Sequence, residues 1–145
     1  MFNKYSLAAA LALAAVTPGF AEGVNHRVAF HVDENNPALM NLTLNNVANV
    51  SAYYQSIGDT VEIEVVAYGP GLHMLREDTS PVADRIAAMS LEIDSLTFAA
   101  CGNTHRKMEQ QSGTTVALLD EAEMVPAGVV ELISLQEEGW SYIRP

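Results

Sequence analysis

The chain has 145 residues, with 18 acidic and 7 basic side chains and a formal net charge of −11. That length sets one domain, and an apolar content of 49% supplies a real core. A chain this acidic, with no basic patch, repels nucleic acid and anionic lipid and excludes both as partners.

The first segment reads apart from the domain. Lys4 forms a short positive lead, Leu7 to Val16 is an unbroken apolar run, and Gly19 and Ala21 put small residues at the −3 and −1 places. This is the pattern of a secretory signal peptide over residues 1–21, cleaved between Ala21 and Glu22. The run is too short for a membrane span, so an exported or periplasmic protein with no membrane attachment is expected after cleavage. The domain then covers residues 22–145 and carries a charge of −12, because the leader holds one lysine and no acid.

In chain order, His26 to Asp33 is a first strand rich in β-formers. Asn36-Pro37 is a helix start, a cap followed by proline at the first helical position. Met40, Leu44, Val47, Val50, Tyr54 and Ile57 share one face of that helix, and Gly58 stops it. Thr60 to Tyr68 is a second strand, alternating at first and continuously apolar at its end, as in a strand covered on both faces. Gly69-Pro70-Gly71 makes a tight loop, and Leu72 to Glu77 reads as a helical turn carrying His73. Val82, Ile86 and Met89 mark a second helix to Ser90. Leu96 to Ala100 is a third, small and apolar strand, followed by a turn at Gly102-Asn103 and a short helix through Gln111. Val116 to Asp120 fits helix or strand. Glu123 to Pro126 is a fourth strand. Ala127 to Glu138 is the last helix, with Val129, Leu132, Ile133 and Leu135 inward and Gly139 past its end. Trp140 to Ile143 is a terminal strand.

Strand and helix alternate throughout. The expected fold is a single α/β domain with a mostly parallel sheet of about five strands and helices on both faces. In such sheets sites lie beyond the carboxyl ends of the strands. Three segments fall there: Asp33 to Asn36, Gly69 to His73, and Cys101 to His105. Cys101 is the only cysteine. It stands where a strand meets a helix N-terminus, and backbone N–H groups and the helix dipole there favour thiolate. With no second cysteine it forms no internal disulfide, so it is a buried inert thiol, a link to another chain, or a reactive sulfur. Gly102 and Asn103 are expected to supply amides to a bound anionic sulfur, and His73 and His105 to assist as thiolate partners. Gly69 and Gly71 are candidates for an anion cradle, with a plain turn as the alternative. His31 reads as a satisfied strand residue. The spacing of Cys101 with His105 and His73 matches no metal-ligand motif, and no cofactor is expected.

Cys101 to Arg106 resembles the Cys-x4-Arg loop of rhodaneses, with Thr104 at the usual glycine. A longer resemblance covers most of the chain. His26 to Asp33, Val61 through Gly69-Pro70-Gly71-Leu72, Phe98-Ala99-Ala100-Cys101-Gly102-Asn103-Thr104, and Val125-Pro126 through Gly139-Trp140-Ser141-Tyr142-Ile143 are together similar to the DsrE/DsrF-like family, in an exported, stand-alone form. The resemblance implies a compact α/β sandwich assembled as trimers or hexamers. It also implies a persulfide-carrying cysteine after a central strand, here Cys101, and a partner protein that gives or takes sulfur. The expected function is that of a sulfur carrier or sulfurtransferase. The alternatives are a small-ligand-binding or assembly protein with a structural Cys101, and a metal-binding periplasmic protein.

Overall fold

A computed structural model describes residues 23–145; the expected signal peptide lies outside the described residues. Strand β1 spans Asn25–Val32, helix α1 Pro37–Ser56 and strand β2 Thr60–Ala67. A 3-10 helix at Gly69–Leu75 follows, then α2 at Ala83–Glu92, β3 at Leu96–Cys101 and α3 at Gly102–Ser112. Strand β4 at Ala122–Val125, α4 at Gly128–Glu137 and β5 at Ser141–Ile143 complete the order. The sheet runs β4-β3-β2-β1-β5, and every pairing is parallel. Among the described residues no helix is long and apolar enough to cross a membrane.

The local signals explain most of the elements. Asn36 caps α1 through its side-chain oxygen, which accepts the Ala38 and Leu39 N–H groups, and Pro37 opens the helix. Gly139, with φ of +90°, turns the chain out of α4. Steps from β1 to β4 each move one strand the same way. The return from β4 to β5 crosses to the far edge of the sheet. The first three connections therefore pack on one face, and the last carries α4 to the other.

The two faces differ in size. The first holds the larger core: Val28, Phe30 and Val32 of β1, Ile63, Val65 and Ala67 of β2, and Phe98 and Ala100 of β3. Met40, Leu44 and Val47 of α1, Ile86 of α2 and Leu72, Met74 and Leu75 of the 3-10 helix cover it. The second face buries Ala29, Val66 and Ala99 under Leu132 and Leu135 of α4 alone, with Tyr68, Val125 and Trp140 at its margin. A single helix leaves part of that face half-covered. Glu64 lies there beside Glu123 and Glu131, in a cavity of about 100 Å³. Burial first, and then the charges of Glu131, Glu123 and Glu138, push its carboxyl up to about 7.

Three expectations are corrected. Val129 and Ile133 face solvent, since only the Leu132 and Leu135 stripe of α4 meets the sheet. Ile57 is exposed because it is the C-cap of α1, where the helical face has already turned away. Val116 to Asp120 is neither helix nor strand. It is a connection tied to the 3-10 helix by Leu119 N–H to the Leu75 carbonyl and by an isolated Leu118–Arg76 bridge.

Candidate active site at the carboxyl edge of the sheet

Cys101 closes β3 and caps α3. Strand alternation turns its side chain to the second face, so the thiol meets α4 as well as α3. The Thr104 N–H of α3 reaches Sγ at 3.4 Å. The backbone amides of Asn103 and of Gly128, which opens α4, and the Thr104 hydroxyl also favour the thiolate. Two helix N-termini therefore converge on one sulfur. Burial alone pushes the Cys101 thiol up, but these donors outweigh it and the net pKa lies below the ordinary thiol value.

Two glycines make this convergence possible. A Cβ on Gly102 would stand 2.9 Å from the Val125 carbonyl oxygen, so only glycine lets α3 start against the turn into α4. A Cβ on Gly128 would stand 2.9 Å from Tyr68 Cβ, 3.0 Å from Tyr68 Cδ1 and 3.3 Å from Cys101 Cβ. Gly128 thus packs its bare Cα into the notch between Tyr68 and the thiol. Within this geometry Gly102 serves close packing, while Asn103 contributes its backbone N–H and bonds Arg106 with its side chain.

Gly69-Pro70-Gly71, expected as a tight loop, forms the first turn of the 3-10 helix and supports the site. Gly69, at φ +53°, donates its N–H to Thr104 Oγ1 at 2.8 Å. Gly71 N–H goes to the Tyr68 carbonyl, and a Cβ there would meet the Val32 oxygen at 2.2 Å. Both amides are spent inside the fold, so the loop braces Thr104 rather than cradling an anion.

The two helical-segment histidines are not brought to the thiol. His105 Nε2–H donates to the Val116 carbonyl at 2.7 Å, with Glu109 at 3.8 Å. His73 Nδ1 pairs with Thr79 Oγ1 at 2.9 Å and lines a cavity of about 370 Å³ with Gly69, Pro70, Thr104, Lys107 and Gln111. Among the described residues no group of three or more His, Cys, Asp or Glu converges on a metal position.

A different histidine stands beside the site. His31, near the end of β1, is 6% exposed and stacks on the Tyr68 ring at 4.7 Å. Its Nδ1 lies 2.7 Å from the Tyr142 hydroxyl of β5. Its Nε2 is buried without a hydrogen-bond partner, 3.7 Å from Asp33 Oδ2. Arg144 holds both Asp33 oxygens at 3.0 Å. Burial lowers the His31 pKa, Asp33 opposes that and Arg144 adds to it, and the net shift is downward. The ring is therefore neutral at neutral pH, and the Asp33 contact is not an ion pair. The tautomer with Nε2–H toward Asp33 leaves Nδ1 to accept the Tyr142 O–H. Strand spacing alone did not single out His31, Tyr68, Tyr142 or Gly128. The usable signal was that His31, Tyr68 and Cys101 each fall at the carboxyl end of an expected strand.

Comparison with known proteins agrees with this architecture. The DsrE/DsrF-like family profile matches residues 25–145. A solved structure of a protein of unknown function from Methanobacterium thermoautotrophicum superposes with a TM-score of 0.70 at 36% identity, covering 83% of this chain and 99% of that one. No curated protein matches. With the family profile spanning all the described elements, and a 36% identical solved structure superposing at a TM-score of 0.70, the chain belongs to the DsrE/DsrF-like family.

Proposed function

We propose that the protein carries sulfane sulfur as a persulfide on Cys101. The observation that carries this reading is the pair of helix N-termini converging on Sγ, with the Thr104, Asn103 and Gly128 amides around it. That field favours the attacking thiolate and then the anionic outer sulfur, which stays within reach of the same donors. Loading joins Sγ to the sulfane sulfur of a donor. The donor's S–S bond breaks, and its electron pair leaves on the departing sulfur. Unloading is the same exchange on an acceptor thiolate, which restores Cys101. Family membership supports the reading, since sulfur-relay members carry sulfur on a cysteine after a central strand.

The test is intact-mass measurement after incubation with polysulfide. The wild type gains one sulfur atom and Cys101→Ser gains none. Equal mass gains for the two, or no gain in the wild type, overturn the reading. Export after cleavage near Ala21 and assembly into a trimer or hexamer belong to the same proposal. The apolar side chains exposed on α4, Val129, Val130 and Ile133, support assembly. N-terminal sequencing of the secreted protein and light scattering measure the two directly.

A further inference from the structure

The persulfide reading leaves the donor open, and the wall of the site bears on it. Cys101 is 5% exposed. α3 bounds it on one side and Gly128 of α4 on another, and the Tyr68 ring packs against Gly128 in the same notch. Tyr68 is itself held. His31 stacks on it, Tyr142 holds the His31 ring through Nδ1, and the Arg144–Asp33 pair stands over the buried Nε2. This buried, hydrogen-bonded histidine contacts no reacting atom, and its effect on the thiol passes through the tyrosine ring.

We propose, resting on the persulfide reading, that Tyr68, positioned by His31 and Tyr142, is the specificity-determining wall of the Cys101 site. It admits small unbranched sulfur donors of the hydropolysulfide class and excludes a cysteine on the surface of a folded protein. A protein cysteine carries its sulfur on one methylene, so the donor's backbone has to approach the buried thiol closely for the sulfurs to meet. A hydropolysulfide is a single file of sulfur atoms and brings no backbone. For the shortest member the exchange is Cys101–S⁻ plus HS–S⁻ giving Cys101–S–S⁻ plus HS⁻. One S–S bond forms, one breaks, and the proton and the electron pair leave on hydrosulfide. Access governs the rate of such exchanges as strongly as thiolate fraction does.

The test compares native Cys101 with the same chain in denaturant, using methyl methanethiosulfonate as small probe and a polyethylene-glycol maleimide as bulky probe. Normalised to the denatured chain, the bulky probe reacts about tenfold slower or worse than the small one in the wild type. Tyr68→Ala removes that gap, Tyr68→Phe keeps it, and His31→Ala narrows it. Circular dichroism confirms that each variant is folded. In parallel, sodium tetrasulfide loads one sulfur onto the wild type, while serum albumin persulfidated at its free cysteine loads it only in Tyr68→Ala. Equal normalised rates in the wild type, or a gap unchanged by Tyr68→Ala, overturn the proposal, as does fast loading of the wild type by the albumin donor. A size gap without any sulfur gain from tetrasulfide leaves the wall standing and overturns the persulfide reading instead.

Discussion

Thr104→Val separates the electrostatics of the thiol from its packing. Thr104 Oγ1 accepts the Gly69 N–H at 2.8 Å and its hydroxyl lowers the Cys101 pKa, so valine keeps the shape and removes both effects. A hydrogen bond to a charged group contributes about 1.5–3 kcal/mol, and an edge site with solvent nearby takes the lower end. That is roughly a tenfold loss of thiolate at any pH below the thiol's titration. The more basic thiolate is also the better nucleophile, with a Brønsted slope of about 0.4–0.5, which returns roughly threefold. Alkylation by iodoacetamide is therefore about threefold slower than wild type at low pH and about threefold faster at high pH, and the two pH–rate curves cross. Thr104→Ser follows the wild type. The orphaned Gly69 N–H lowers stability by about 1–3 kcal/mol in urea titration. Superposed curves would refute the account of the thiol. A Thr104→Val curve faster at every pH would refute it too, because it reports loosened packing rather than altered charge.

Three further outcomes follow from contacts already described. Gly128→Ala forces a Cβ to 2.9 Å from Tyr68, and overpacking of this kind costs about 1–3 kcal/mol, offset in part by better helix propensity; a denaturant midpoint at or above wild type contradicts it. Gly71→Ala drives a Cβ to 2.2 Å from the Val32 oxygen, a fixed backbone atom, and loses about 3 kcal/mol or fails to fold, which thermal melting shows directly. Glu64 binds its proton more tightly folded than unfolded, so its contribution to stability is full below the unfolded value of 4.5 and is lost as pH rises to about 7. Partial exposure and screening reduce that loss to about 1–2 kcal/mol. Glu64→Gln is accordingly more stable than wild type at pH 8 by this amount and equal to it at pH 4; equality at both sinks the assignment.

The strand-and-helix alternation was legible because each element announces itself locally. Asn36-Pro37 opens α1, apolar alternation marks β2, and Gly139 ends α4. Cys101 was legible for the same reason, since a small apolar strand running into Gly102-Asn103 fixes the junction. What surrounds the thiol was not. His105 sits at helical spacing from Cys101, yet the carbonyl of Val116, in the one stretch of ambiguous pattern, draws its ring away. Gly128 read as one more helical residue, because its importance lies in what it lacks opposite Tyr68. His31 read as a satisfied strand residue, and one of its nitrogens is. The other has no partner, which depends on Asp33 and Arg144 meeting across the sheet edge. The inward face of α4 was half legible. Five apolar residues in seven suggest a broad stripe, but the helix meets the sheet through only the two leucines.

The contacts that brace the thiol's wall span unusual distances along the chain. His31 to Tyr142 and Asp33 to Arg144 each join residues 111 positions apart. They close loops nearly as long as the domain, so each carries a large loop-closure entropy. Strand β5, three residues long and paired on one side only, is the least anchored piece of the sheet. It is also the piece to fray first, through an opening smaller than global unfolding. Because Tyr142 of this strand holds the His31 ring that stacks on Tyr68, an opening at the far edge of the sheet also removes the support of the ring beside Cys101.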